Sequence, residues 1–245
     1  NRKIGEIFPE QNVVKKRGEL RKLFIVPPGY KMIRMDWKLV EFGMLAVLAK
    51  DAELIDAFLH GDVHSETAKA INRDRDTGKR INFLMQNGGS PWGISQQFGV
   101  PIDEAKQLYN AYYKRFPALK RFQNETVAKA VATKEAVGPF GRKHRIDALY
   151  AQDWRIRQEG EREAMTMPMQ NGAAELVKLA MIDLHKHNAP MICQVHDEIL
   201  FEIPEDMAEE YAQWLSEYVP KITEIDGVQF PVEVTIGNNW LACMK

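Results

Sequence analysis

The stretch "MICQVHDEILFEI", residues 191–203, restricts the fold more than any other part of this chain. Two apolar runs, rich in Val, Ile and Phe, flank the polar pair His196-Asp197. That pattern reads as a β-hairpin with ionisable groups at its tip. Matching strand patterns sit near both ends of the chain. "LFIVPPGYKMIRMDW" (23–37) reads as a strand, a Pro-Pro-Gly turn and a second strand ending at Asp36. "FPVEVTIGNNW" (230–240) reads as a final strand and turn.

The residues between carry helical spacing. "LVEFGMLAVLAKDAELIDAFLHG" (39–61) reads as two helices interrupted near Lys50-Asp51, and "DVHSETAKAI" begins a third. "RDTGKRINFLMQNGG" (75–89) is a helix closed by Gly88-Gly89, with Pro91 just beyond. Residues 101–132 are helical and broken or kinked at Pro117. "GPFGRKHRI" (138–146) is a glycine-punctuated turn with a basic strand. A long helix follows at 155–187, disturbed near Pro168, and "EDMAEEYAQWLSEYV" (205–219) is amphipathic. The order predicts an α+β fold: a small sheet built from both chain ends, with a helical subdomain inserted.

Composition bounds the function less tightly. The 245 residues, 45% hydrophobic, can bury a core in one large domain or two small ones. A net charge of −1 does not announce a nucleic-acid binder, but "KKRGELRK" (15–22) and "NRDRDTGKR" (72–80) leave room for a local basic face. Two cysteines, Cys193 and Cys243, suit a reducing compartment and no disulfide framework. No apolar run reaches 18 residues and no signal peptide is evident. The first residue is Asn, as expected of a processed, trimmed or partial chain.

Two carboxylates draw the chemistry together. Asp197 at a hairpin tip is held on a rigid support yet faces outward, although Asp is also a common turn residue. Asp36 ends a strand before an apolar helix, where it could equally be an N-cap. On neighbouring strands, the pair could bind two divalent cations ~4 Å apart, as two-metal phosphoryl transfer requires. Hard carboxylate oxygens suit Mg²⁺, which takes its other ligands from water and substrate phosphates. In the 75–89 helix, Arg75, Lys79, Phe83 and Asn87 recur every four residues. Each step drifts only ~40° and climbs ~6 Å, so two cations sit one turn apart on one side. They could grip a triphosphate, with Phe83 packed on a sugar or base; a surface helix with a buried Phe fits the same spacing. Gly78 weakens that helix by roughly 1 kcal/mol against Ala. A second stripe, Arg162, Thr166 and Gln170, carries donors for the minor-groove acceptors common to all base pairs; ordinary surface polarity is the competing reading.

Taken together, these motifs resemble the polymerase domain of family A DNA polymerases, a bacterial family that also serves many phages. "MDWKLVEFGMLAVLAKDAELIDAFLHGDVHSETA" (35–68) is similar to motif A, D-Y-S-Q-I-E followed by helices and D-I-H. "RDTGKRINFLMQNGG" resembles motif B, R-x3-K-x3-F-x3-Y-G. "REAMTMPMQNGAAELVKLAMI" (162–182) resembles R-x3-N-x-P-x-Q-G-x-A-A, and "QVHDEILFE" is motif C almost letter for letter. The similarity runs in register from about residue 9 to 245. It implies an N-terminal lead-in at 1–22, palm at 23–63 and 138–245, with motif C at 194–200, and fingers at 64–137. It implies a template-directed DNA polymerase, with Mg²⁺ (or Mn²⁺ in its place) on Asp36 and Asp197. Arg75, Lys79 and His64 would take the incoming triphosphate, with Lys79 a candidate general acid. Phe83 would lie against the nucleotide sugar, Glu41 would gate against a 2′-hydroxyl, and Glu198 would support the metal site. His196, Arg142, Arg162, Thr166 and Gln170 would contact primer–template DNA.

The chain departs from the pattern at several positions. Asn87 stands for the motif B Tyr, Leu84 for the Gly after Phe83, and Thr166 for the Asn of the third segment. Trp37-Lys38-Leu39 replaces Tyr-Ser-Gln, and the link between motifs A and B is short, which implies small fingers. The family's thumb and exonuclease lie upstream of such a segment, so firm duplex grip is expected from another chain or an N-terminal region. These departures motivate a second reading, a non-catalytic module that binds primed DNA or a replication partner. A single-subunit RNA polymerase is disfavoured by Glu41.

Overall fold

The computed structural model describes residues 19–244. Residues 15–18 of the basic run therefore lie outside the described residues, as does most of the 1–22 lead-in. The described residues divide into two compact units: those up to 38 with those from 177 onward, and residues 39–176. The α+β expectation holds, with a small antiparallel sheet and a helical insertion.

The first unit is built on β1 (Tyr30–Trp37), β4 (Met191–Val195), β5 (Glu198–Pro204) and β8 (Val232–Gly237), in the order β4-β5-β1-β8. β1 is antiparallel to both neighbours, with Asp36 opposite Glu198 on one side and Glu233 on the other. Alternation sorts its side chains onto two faces. Ile33, Met35 and Trp37 join Ile199, Phe201 and Ile203 on one face, all at 2% exposure or less. Helix α9 (Ala208–Ile222) covers that face through the fully buried Leu215 and Val219, and Tyr211 packs on Phe201 with ring centroids 6.1 Å apart. On the opposite face Met32 and Leu200 form a small core with Trp240 and Cys243. The rest of that face is polar: Arg34, Asp36 and Glu198.

Two local expectations change in this unit, and one element is new. Residues 23–26 form no strand; a 3₁₀ turn at Glu19–Leu23 leads to one isolated bridge, Ile25 to Asn239. Asp36 is not a helix N-cap. It lies inside β1, and the next helix starts from Leu39 in the left-handed region at φ 48°. A two-residue-strand hairpin, β6 (Glu224–Ile225) and β7 (Val228–Gln229), turns at Asp226-Gly227, both at positive φ. Asp-Gly is a strong hairpin signal and was available in the sequence.

The second unit contains α1 (Val40–Ala49), α2 (Ala52–Leu59), α3 (Val63–Ile71), α4 (Arg75–Gln86), α5 (Pro91–Phe98), α6 (Ile102–Arg115) and α7 (Pro117–Thr133). A hairpin follows, β2 (Glu135–Val137) with β3 (Lys143–Arg145), and then α8 (Trp154–Lys186). The unit boundary falls inside α8. The break at Lys50-Asp51 is as read: Lys50 is left-handed at φ 51°, and the Asp51 carboxylate caps α2 by accepting from Glu53 N and Leu54 N. Helix α5 was not anticipated, although Ser90, Pro91 and Gly99 are its cap, first residue and left-handed stop. Pro168 does not interrupt α8, which is helical throughout.

Phe201 is fully buried between the sheet and α9. Phe201→Ala should lower stability by about 3–5 kcal/mol and Phe201→Leu by under about 1.5 kcal/mol, read by chemical denaturation.

Candidate active site

The first unit gathers acids where β1 meets the hairpin tip. β4 and β5 are joined by the two-residue loop His196-Asp197, with His196 at φ 55°. Positive φ at a central hairpin residue matches the right-handed twist of the flanking strands. The tip is tied to β1 by Trp37 N donating to the Asp197 carbonyl at 3.1 Å. Asp197, in the loop, thus immediately precedes Glu198, which lies directly opposite Asp36.

Arg34, two residues before Asp36 on the same face, is charged in the middle of a buried strand. Its Nη2 lies 2.9 Å from Asp36 Oδ2, and its Nε donates to Glu198 Oε2. Glu198 is 5% exposed, and its Oε1 is buried with no hydrogen-bond partner. Burial pushes the Asp36 carboxyl above its ordinary pKa; the Arg34 guanidinium pulls it back, and the Asp197 and Glu198 carboxylates add to the rise. An acid held in crowded company without enough donors is a place that a cation would relieve. Among the described residues no three His, Cys, Asp or Glu gather to hold a metal alone. Two hard carboxylates that leave other positions to water and phosphate still fit Mg²⁺.

The second unit carries the cationic stripe. Arg75, Lys79 and Phe83 are all exposed on α4, Phe83 at 65%. Phe83 is therefore not the buried anchor of a surface helix. Trp92, at the start of α5, is also exposed, at 68%. Asn87 closes α4, its side-chain amide donating to the Phe83 carbonyl at 2.7 Å. Gly88 at φ 73° follows, and a Cβ there would meet Met165 Sδ at 3.2 Å and Arg162 Cγ at 3.4 Å. That close approach brings Arg162 of α8 to the end of α4.

Two buried networks hold this stripe. Asn82, 1% exposed, donates to the Val63 carbonyl at 3.2 Å and accepts from the Thr67 hydroxyl at 2.8 Å. Its amide nitrogen also lies 3.2 Å from His64 Nδ1. Because a carbonyl can only accept, the group facing Val63 must be the NH₂, so His64 Nδ1 accepts and the neutral ring carries its proton on Nε2. Burial holds His64 below its ordinary pKa; Asp62 opposes this, while Arg75 and Lys79 push the same way. Gln123, fully buried, joins Tyr113 OH to the Met85 carbonyl and so fastens α7 to α4. Asp62 caps α3 and also pairs with Arg75, whose hydrogen bond is the main cause of its lowered pKa. Gly78 has a structural reason: a Cβ there would lie 2.3 Å from the His64 carbonyl oxygen and 2.9 Å from Ala68 N.

The remaining residues singled out in the sequence lie as follows. Glu41 is half-buried in the first turn of α1. Arg162 is exposed and Gln170 half-buried on α8, whereas Thr166 is buried and its hydroxyl donates to the Arg162 and Glu163 carbonyls of its own helix. Arg142 follows Gly141, at φ 84° in the β2–β3 loop, and pairs with Glu175 at 2.7 Å. Arg34, Asp62, Thr67 and Asn82 were missed. Arg34 alone had a sequence signal, a charge inside an apolar strand; the buried amide and its hydroxyl partner look like ordinary helix polarity.

A raised Asp36 pKa favours the folded state below the ordinary value of 3.8, and that contribution is lost as pH rises through the folded value. Ionised Asp36 therefore costs stability at neutral pH. Asp36→Asn should raise the melting temperature at pH 7, and the gain should vanish below about pH 3.8, the value at which unfolded Asp titrates. Gly78→Ala should cost stability despite better helix propensity, by about 1–3 kcal/mol, because backbone opposes the added methyl; thermal unfolding reads both.

The sequence profile described as "DNA polymerase family A" matches residues 9–242. DNA polymerase I of Pseudomonas aeruginosa is 32% identical over 237 residues, covering 90% of this chain and 26% of that protein. The thermostable DNA polymerase I of Thermus aquaticus is 32% identical over 240 residues, covering 92% of this chain and 29% of that protein. The chain thus spans under a third of either relative's length. Among solved structures, the polymerase domain of Pol1 from M. smegmatis, in complex with DNA primer–template and dNTP, aligns with a TM-score of 0.84 at 28% identity. The alignment covers 92% of this chain and 42% of that one. A profile match over nearly the whole length makes this chain a member of the family A DNA polymerases.

Proposed function

We propose that this chain carries the nucleotidyl-transfer chemistry of a DNA polymerase, adding dNTPs to a primer 3′ end against a template. The observation that supports it best is the pairing of Asp36 and Asp197 at the end of a rigid sheet, tied by Trp37 N to the Asp197 carbonyl. In this reading the sheet, with residues 23–63 and 138–245, is the palm, and 64–137 are the fingers.

Asp36 and Asp197 would hold the divalent cation, Mg²⁺ or Mn²⁺ in its place. Bound there, it supplies the Lewis acidity that activates a 3′-hydroxyl and stabilises departing pyrophosphate. The chain's own groups do the rest. Arg75 and Lys79 neutralise charge growing on the β- and γ-phosphates, and Lys79 Nζ holds a proton that can pass to the leaving pyrophosphate. His64, with its proton on Nε2, donates a third hydrogen bond to the same anion. Asp62 keeps Arg75 oriented until a triphosphate of higher charge takes its place. Phe83 offers its exposed ring to the nucleotide sugar, and Asn87 closes the floor of that pocket. Trp92 presents a flat face on which a template base can stack. Glu41 excludes a 2′-hydroxyl. Arg162 and Gln170 donate to minor-groove acceptors, while Thr166, back-bonded to its helix, supports the backbone between them. His196 and Arg142 contact the primer–template, and Glu198 supports the acids.

Primer extension on a labelled primer–template tests this. Metal-dependent dNTP incorporation should be lost in Asp197→Ala and fall about 10²–10³-fold in Lys79→Ala. Glu41→Ala should raise ribonucleotide use relative to dNTPs. A folded chain that binds primed DNA but extends nothing would instead establish the non-catalytic module.

A further inference from the structure

We propose that Arg34 is a built-in counter-cation that keeps Glu198 off the metal and holds the affinity of the acid patch for divalent cations low. The inference rests on the metal-binding reading of Asp36 and Asp197. Arg34 is a positioning residue in this account; it touches neither substrate nor reacting atoms.

The geometry is specific. Arg34, Asp36 and Glu198 share one face of the sheet, Arg34 two residues before Asp36 on β1 and Glu198 opposite Asp36 on β5. The guanidinium meets two carboxylates from different strands with separate nitrogens: Nη2 takes Asp36 Oδ2 at 2.9 Å, and Nε takes Glu198 Oε2. Its side chain is 12% exposed and that of Glu198 7%, so solvent screens the pairing little. A planar fork can bridge two acids in this way, whereas the point charge of a lysine cannot hold both in one geometry. Without Arg34, Asp36 and Glu198 would be like charges directly opposite each other on adjacent strands, a destabilising pair. With it, the three acids and one cation carry a net −2 instead of −3. Glu198 is fixed on the guanidinium, and Asp36 Oδ2 is engaged. Asp197 and the remaining Asp36 oxygen are the groups left for a divalent ion. Glu198 therefore acts on the site through Arg34 and not as a ligand.

Direct Mn²⁺ binding to the full chain without nucleotide, followed by the loss of the free-ion electron paramagnetic resonance signal, tests this. Arg34→Gln should bind Mn²⁺ on the order of tenfold more tightly than the parent, since a nearby positive charge has been removed. Glu198→Gln should bind more weakly. Arg34→Gln combined with Glu198→Gln should bind more tightly than Glu198→Gln alone, by a similar factor. This second comparison leaves no unpaired buried charge, so it decides the matter if Arg34→Gln alone fails to fold. Affinity unchanged or weakened on removing Arg34 in both backgrounds would overturn the proposal. Asp197→Ala separates the two levels. If neither the parent nor Arg34→Gln binds Mn²⁺, or Asp197→Ala binds it as well as the parent, the metal-binding reading fails and this inference with it. If Asp197→Ala abolishes binding while the Arg34 variants match their parents, only the role of Arg34 fails.

Discussion

The first unit depends on β1 being hydrogen-bonded along both edges. Its partners, β5 and β8, come from the far end of the chain, so the sheet closes only when residues 30–37 meet residues 198–237. Such pairings carry a large loop-closure cost, which local structure cannot offset. The apolar face supplies the compensation: Ile33, Met35, Trp37, Ile199, Phe201 and Ile203 are all nearly or fully buried. The same register then dictates the polar face, because a one-residue slip would exchange the two. Asp36 opposes Glu198 because Ile33 opposes Phe201. Core packing and site geometry are one constraint seen from two sides of a sheet.

The second unit solves a different problem, presenting exposed cations and an exposed aromatic ring on one helix. Helix α4 is fastened from behind by buried amides that are fully matched to partners: Asn82 to α3 and Gln123 to α6 and α7. Buried polar groups in this condition are directional, so they set the rotation of a helix as well as its position. Gly78 removes the one side chain that would hold α3 away. The outcome is a helix whose inner face specifies orientation and whose outer face is free for Arg75, Lys79 and Phe83.

Charge compensation runs through both units. Asp62 answers Arg75, and Arg34 answers Asp36 and Glu198. Groups suited to bind a triphosphate or a divalent cation are thus held by opposite charges in the protein alone. Such pairing keeps side chains ordered and avoids bare like-charge clusters, at the cost of competition with the ligand.

Much of this was legible in the residues. Periodicity located the hairpin at 191–203, the break at Lys50-Asp51 and the helix bearing Arg75 and Lys79, because strands and helices write their periods directly into the chain. Asp36 and Asp197 were recognisable as a pair once one was read at the end of a strand and the other at the tip of a neighbouring hairpin. What escaped was whatever depends on a neighbour distant in sequence. Residues 23–26 look like a strand by propensity, yet only Ile25 finds a partner. Asn82 and Thr67 look like surface polarity until α3 and α4 are packed. Sequence alone determined which groups could do chemistry and the local elements that carry them, since these follow from residue type and spacing. Tertiary structure alone decided that Arg34 faces two acids at once, that Glu198 leaves an oxygen without a partner, and that Phe83 stays outside. Each of these depends on register and burial, and both are settled only when separate strands and helices meet.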